Sequence, residues 1–183
     1  YRHLVETSPT TGKPCCDDEA VTRTLEQIRA IDASLVIAVG AGTVNDVAKL
    51  AAFHADRPYL VIATAPSMNG YTSSTAAVMS SGVKESVPCR GPIACLADIQ
   101  IMQQAPQRMI AAGLGDLLSR SVSLGDWYLS HRLSGTEYSA ATTALVEESG
   151  RLCDGLASEL PNRDVPYIEQ VEPNLMKDRS DTL

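Results

Sequence analysis

The sequence has no excess of basic residues, no long apolar run, no CxxC pair and no methionine at its start, and each absence narrows what the protein can be. Fifteen Lys and Arg against 22 Asp and Glu give a formal net charge of −7, so no long-range positive field draws in a nucleic acid or an anionic membrane. That sign does not exclude a small anion, because backbone N–H groups at a helix start hold phosphate whatever the global charge. No apolar stretch reaches the roughly 20 residues that a membrane span needs, and the polar residues 1–11 do not read as a signal peptide. A soluble, cytoplasmic protein without nucleic-acid or membrane partners is expected. The five cysteines (Cys15, Cys16, Cys89, Cys95 and Cys153) lack both CxxC spacing and histidines in metal-site register, and are read as reduced thiols. Since no initiator methionine is present, we expect a piece of a longer protein.

With 183 residues, 44% hydrophobic and 20% charged, the chain is able to fold around a core. Residues 18–31 place Val21, Leu25 and Ile28 at i, i+4 and i+7, with Asp17, Asp18 and Glu19 at the positive end, which predicts a helix covering a sheet. LVIAVG at 35–40 predicts a strand buried on both faces. Helical spacing returns over 43–53 through Val44, Val47, Ala48 and Ala51, Arg57-Pro58 ends it, and YLVIATA at 59–65 predicts a second buried strand. Helix, strand, helix, strand is the pattern of a parallel α/β layer. The small and hydroxylated residues 67–82 predict a loop over a ligand, and residues 83–98, interrupted by Gly91-Pro92, predict a hairpin. Beyond Gln104 the pattern becomes helical: Pro106 suits a first turn, and Leu117, Leu118, Val122 and Leu129 follow at helical spacing. A further helix is predicted over 139–160, and a broken end from Pro161. No internal repeat is present.

Within VIAVGAGTVNDVAK (36–49), Gly40-Ala41-Gly42 stands between strand and helix, where missing side chains allow a tight turn and bring a phosphate close to backbone N–H groups. The usual dinucleotide fingerprint has a third glycine at position 45, and Asn45 stands there; the P-loop lysine is also missing. Two readings stay open on these residues: a pyrophosphate cradle, or an ordinary strand-to-helix turn that needs glycine for its dihedrals. Asp46 suits either, because acidic residues are favourable near a helix start.

Four segments, VGAGTVNDVAK (39–49), ATAPSMNGYTS (63–73), PIACLADIQIMQQAP (92–106) and AAGLGDLLSRSVSLGDW (111–127), occur in order with plausible gaps. Together they resemble the superfamily of iron-type alcohol dehydrogenases, glycerol dehydrogenases and dehydroquinate synthases, and chiefly its glycerol-1-phosphate dehydrogenase branch. The resemblance implies a Rossmann-like α/β dinucleotide domain, incomplete at its start, over 1–104, followed by part of an all-α metal and substrate domain over 105–183. It implies NAD or NADP and one divalent metal ion, zinc first with nickel or iron as alternatives, and hydride transfer between a glycerol-1-phosphate-like polyol phosphate and dihydroxyacetone phosphate.

Carried over by position, Gly40, Ala41, Gly42, Thr43 and Val44 bind the cofactor pyrophosphate, and Thr64, Ala65, Pro66, Ser67 and Ser73 line the nucleotide further along. Asn69 takes the place of an aspartate that contacts substrate. Asp116 is the metal-ligating, substrate-facing catalytic carboxylate. At i+4 from it, where iron-type alcohol dehydrogenases carry a histidine, stands Arg120, so the histidine ligands are expected outside this chain; His3, His54 and His131 are read as structural or exposed. A homo-oligomer is expected. The alternatives are a sugar-phosphate cyclase of the dehydroquinate synthase type, disfavoured because the loop after the second strand lacks that branch's glycine–lysine pair, and a non-catalytic nucleotide-binding relative.

Overall fold

The computed structural model describes residues 1–7 and 12–156, with the helical backbone alone for 152–156. The end of the predicted last helix, the broken end from Pro161 and the Cys153 side chain lie outside the described residues. The chain forms two compact units, one made of Tyr1–Thr64 with Gly70–Asp98, the other of Ala65–Asn69 with the residues from Ile99 onward.

The first unit contains α1 (Asp18–Ala30), β1 (Val36–Gly40), α2 (Gly42–His54), β2 (Tyr59–Ala63), β3 (Thr75–Ser80), β4 (Val83–Pro88) and β5 (Cys95–Ala97). The predicted parallel layer is present. Its strands run in the order β1-β2-β5, with Val36 opposite Tyr59 and Val61 opposite Cys95. Asp17 caps α1, its carboxylate accepting the Ala20 N–H at 2.8 Å, a contact of a kind that contributes about 1 kcal/mol.

Four expectations are corrected. The run 67–82 is not all loop, because β3 begins at Thr75 and pairs antiparallel with β4. Ala76 and Val78, at strand period, are buried at 2% and 3% exposure, a signal hidden by the small size of their neighbours. The hairpin is therefore β3–β4 and not 83–98. Ser81 and Gly82 connect its strands with φ of 52° and 81°, the pair of positive values that suits the twist of a tight hairpin. Beyond Gly91-Pro92 the chain returns as β5, third strand of the parallel sheet.

Helix α1 does not cover that sheet: it packs on α2 and β3, where Val21, Ile28, Val47, Leu50, Ala51, Ala76 and Val78 form the core. Nor is β1 buried on both faces. Helix α2 packs against it, but strand alternation leaves Ile37 and Val39 53% and 58% exposed while Ala38 is covered.

The second unit holds α3 (Ile99–Gln103), α4 (Gln107–Leu118), α5 (Arg120–Ser134) and α6 (Ala140–Leu156). Its helices start earlier than Pro106, and the apolar series 117–129 is split at Ser119 between α4 and α5. Ile110 and Leu117 of α4 and Val146 of α6 are buried. Helix α5 stops at Gly135, whose φ of 68° reverses the chain. Trp127 Nε1 donates to the Glu137 carbonyl at 2.7 Å, His131 Nδ1 donates to the Thr136 carbonyl at 2.7 Å, and the Tyr138 ring packs against both side chains. The GDW motif and His131 thus hold a corner.

Among the described residues no helix is long and apolar enough to cross a membrane. Cys15, Cys16, Cys89 and Cys95 form no disulfide among the described residues, and burial pushes the Cys16 thiol up to about 12. Leu50 is 4% exposed in the core between the helices and the hairpin, so Leu50→Ala is expected to destabilise by about 2–5 kcal/mol, read from the urea unfolding midpoint.

Candidate functional site

In the first unit the predicted glycine turn leads from β1 into the start of α2. Asn45 donates its N–H to the Ala41 carbonyl at 3.0 Å, so the helix begins directly after the turn. Its N-cap, Ala41, offers no side-chain hydrogen bond, and no acidic side chain lies in the first turn. The positive end of the helix is therefore not neutralised locally, and its first N–H groups have no partner within the helix. At Gly40 a Cβ would meet the Val44 Cβ at 2.7 Å, so only glycine lets α2 come this close to the end of β1. Gly40 and Val44 provide the tight helix–strand contact for which the usual fingerprint needs its third glycine. Asn45, at that third position, is 0% exposed: its amide donates to Asp46 Oδ1 at 3.1 Å, and its Oδ1 is buried without a hydrogen-bonding partner among the described residues. An uncapped helix start beside a buried free acceptor fits a ligand that carries a diphosphate and hydroxyl or amide donors, as a dinucleotide does.

The Thr64 N–H donates to the Gly40 carbonyl at 3.2 Å, which joins the ends of β2 and β1. Ser73 is 4% exposed, and its hydroxyl points into its own loop, 3.0 Å from the Gly70 carbonyl and 2.8 Å from the Thr75 carbonyl. Two residues of α2 to which the motif reading gave no part in the site grip this region. Lys49 is fully buried with its ammonium on the same loop, and Asp46 Oδ2 accepts the Ala77 N–H of β3 at 3.3 Å. A lysine inside the apolar run VAKLAAF was the available signal. Burial raises the Asp46 pKa above its ordinary 3.8, against the charge of Lys49 and the hydrogen bonds from Ala77 and Asn45.

In the second unit the segment Ala65–Asn69 lies on α4. Pro66 is buried, and a Cβ at Gly113 would overlap the Pro66 carbonyl oxygen, so glycine in mid-helix marks the close approach of that backbone. Asp116 belongs to α4 as well. It lies in the last turn of α4, where the helix dipole disfavours a negative charge, and its Oδ2 accepts the Asn69 backbone N–H at 2.7 Å. The structure thus brings Asn69 and Asp116 together through the main chain of Asn69. Among the described residues no three His, Cys, Asp or Glu side chains converge as a metal-binding group. Asp116 can furnish one oxygen ligand, but a single carboxylate does not complete a coordination sphere, so the described residues do not by themselves fit a divalent ion.

Residues 5–106 match the family of iron-containing alcohol dehydrogenases. The chain belongs to that family. Among curated relatives it is 41% identical over 119 residues to the glycerol-1-phosphate dehydrogenase [NAD(P)+] of Bacillus subtilis, covering 65% of this chain and 30% of the relative. It is 38% identical over 165 residues to the enzyme of the same name from Bacillus licheniformis, covering 90% of this chain and 41% of the relative. The chain therefore spans well under half the length of these relatives. A probable glycerol dehydrogenase from Sinorhizobium meliloti has the same fold, with a TM-score of 0.77 at 20% identity over 90% of this chain and 49% of that one. The match to the iron-containing alcohol dehydrogenases includes the α2 start, Asp46, Lys49 and the 65–73 segment, while Gly113 and Asp116 lie beyond it.

Two outcomes follow for the intact gene product. Gly113→Ala is expected to cost about 1–3 kcal/mol by displacing the Pro66 backbone, seen as a lower Tm together with faster amide exchange in residues 65–69. A carboxyl whose folded pKa is raised favours the native state most below its ordinary 3.8, and that contribution is lost as pH rises through the raised value. Asp46→Asn is expected to remove this component, leaving a flatter urea-unfolding free energy across the acidic range than wild type.

Proposed function

We propose that this chain supplies the dinucleotide-binding part and one carboxylate, Asp116, of an NAD(P)-dependent dehydrogenase that interconverts glycerol-1-phosphate and dihydroxyacetone phosphate. The observation that carries the reading is the uncapped start of α2 at the carboxyl end of β1, held close by Gly40, in a chain 38–41% identical to curated enzymes of that name. In parallel α/β sheets, ligands bind beyond the carboxyl ends of the strands.

Bound there, a nicotinamide cofactor supplies the hydride. The residues of this chain bind and orient: the 40–44 turn offers N–H groups to the diphosphate, and Asn45 Oδ1 is an acceptor awaiting a donor. Asp116 fixes the main chain at Asn69 through one oxygen, which sets the segment where the family resemblance places substrate contact. A divalent ion, zinc first, belongs to this reading through the resemblance, with its other ligands outside the described residues.

The intact gene product is expected to oxidise NADH or NADPH when dihydroxyacetone phosphate is added, to lose that activity on chelation and to regain it with zinc, nickel or iron. Absence of turnover across dihydroxyacetone phosphate and related ketose phosphates would sink the reading. Turnover that survives exhaustive chelation would remove the metal from it.

A further inference from the structure

Lys49 lies in the middle of α2 with 0% exposure. Its Nζ is 3.0 Å from the Gly70 carbonyl oxygen, 3.1 Å from Ser73 Oγ and 3.0 Å from the Thr75 carbonyl oxygen. Only a protonated amine has a donor for each of three acceptors, so this geometry calls for the charged form. The oxygens come from one short stretch, residues 70–75, that also closes on itself: the Ser73 N–H donates to the Gly70 carbonyl at 3.4 Å, and the Ser73 hydroxyl lies within reach of both carbonyls. The loop turns its oxygens inward onto a cation delivered from a neighbouring helix. Asp46, one turn earlier on α2, holds the next strand through Ala77 and offsets the lysine's charge.

Burying an ammonium costs several kcal/mol unless it is well paired. The hairpin already docks through Ala76 and Val78, which sit in the apolar core without its help. Within residues 70–75 packing anchors Tyr71, which is 1% exposed, but Gly70, Thr72, Ser73, Ser74 and Thr75 are small or polar, and packing alone leaves their backbone many conformations. Three charge-assisted hydrogen bonds from one rigidly placed group select one of them.

We propose that the Lys49 ammonium is an internal cation that fixes the backbone of residues 70–75 in the form the dinucleotide requires, a positioning residue acting through the loop and outside the chemistry. The proposal rests on the functional reading given above, that this chain binds NAD(P).

The test uses the intact gene product and Lys49→Met, which keeps the length of the side chain and removes the charge. Hydrogen exchange by mass spectrometry is expected to quicken in residues 70–77 and not in α1 or β1. Titration with NADPH and steady-state kinetics are expected to show Kd and KM for the cofactor raised about 10-fold or more, with kcat within about 3-fold once the cofactor saturates. If Lys49→Met does not fold, Lys49→Gln removes the charge and keeps two N–H donors, and the same pattern at smaller amplitude is expected. Unchanged exchange in 70–77 overturns the proposal, as does a loosened loop with unchanged cofactor affinity. A fall in kcat at constant KM overturns it too, since that places Lys49 in the chemistry. Wild-type protein that binds neither NADPH nor NADH overturns the functional reading itself, and with it the positioning role, before any variant is made.

Discussion

The contact between Gly40 and Val44 is the constraint on which the first unit depends. A side chain at position 40 would meet Val44 at less than van der Waals distance, so without glycine α2 would stand off from the end of β1. Everything else that α2 does follows from that seat. Its apolar side meets α1 and the hairpin through Val47, Leu50 and Ala51, its uncapped start opens at the carboxyl end of the sheet, and its middle delivers Lys49 into the loop after β2. One helix serves core and loop at once, and the small buried side chains of Ala48, Ala51 and Ala52 let its neighbours approach closely.

The second unit uses the same device with different chemistry. Gly113 removes the side chain that would collide with the Pro66 backbone, and Asp116 then receives the Asn69 N–H. A carboxylate in the last turn of a helix gains nothing from the helix dipole, and its hydrogen bond goes to another segment. Asp116 thus serves the segment it holds. Trp127, Tyr138 and His131, by contrast, have an entirely structural account as the corner between α5 and α6.

Elements with a strong single period were legible in the sequence. The stripe of α1, the run of β2 and the strand–glycine–helix order around Gly40 were readable because local pattern and tertiary role coincide. Strand β3 was not, since Thr75, Ala76 and Ala77 resemble a loop in composition and reveal their period only when Ala76 and Val78 are seen buried. Strand β5, Cys95–Ala97, is too short to carry a period of its own. Of the candidate site residues, the glycine turn and Asp116 were picked out by motif. Lys49 lay inside the same motif but was passed over, and Asp46 was read only as a favourable charge near a helix start, because a charge on a helix ordinarily faces water and nothing local shows that these turn inward.

By itself the sequence determined the α/β order, the helical second half and the family, because these are written in short-range periodicity and in contiguous motifs. Only the tertiary structure decided that α1 packs on a hairpin, that the third parallel strand comes after that hairpin, that Lys49 is an internal cation and that Asp116 holds the main chain of Asn69. Those outcomes depend on pairings between residues more than twenty positions apart, and such pairings follow from which surfaces can approach closely enough, a property of glycines and small side chains in space and not of their order along the chain.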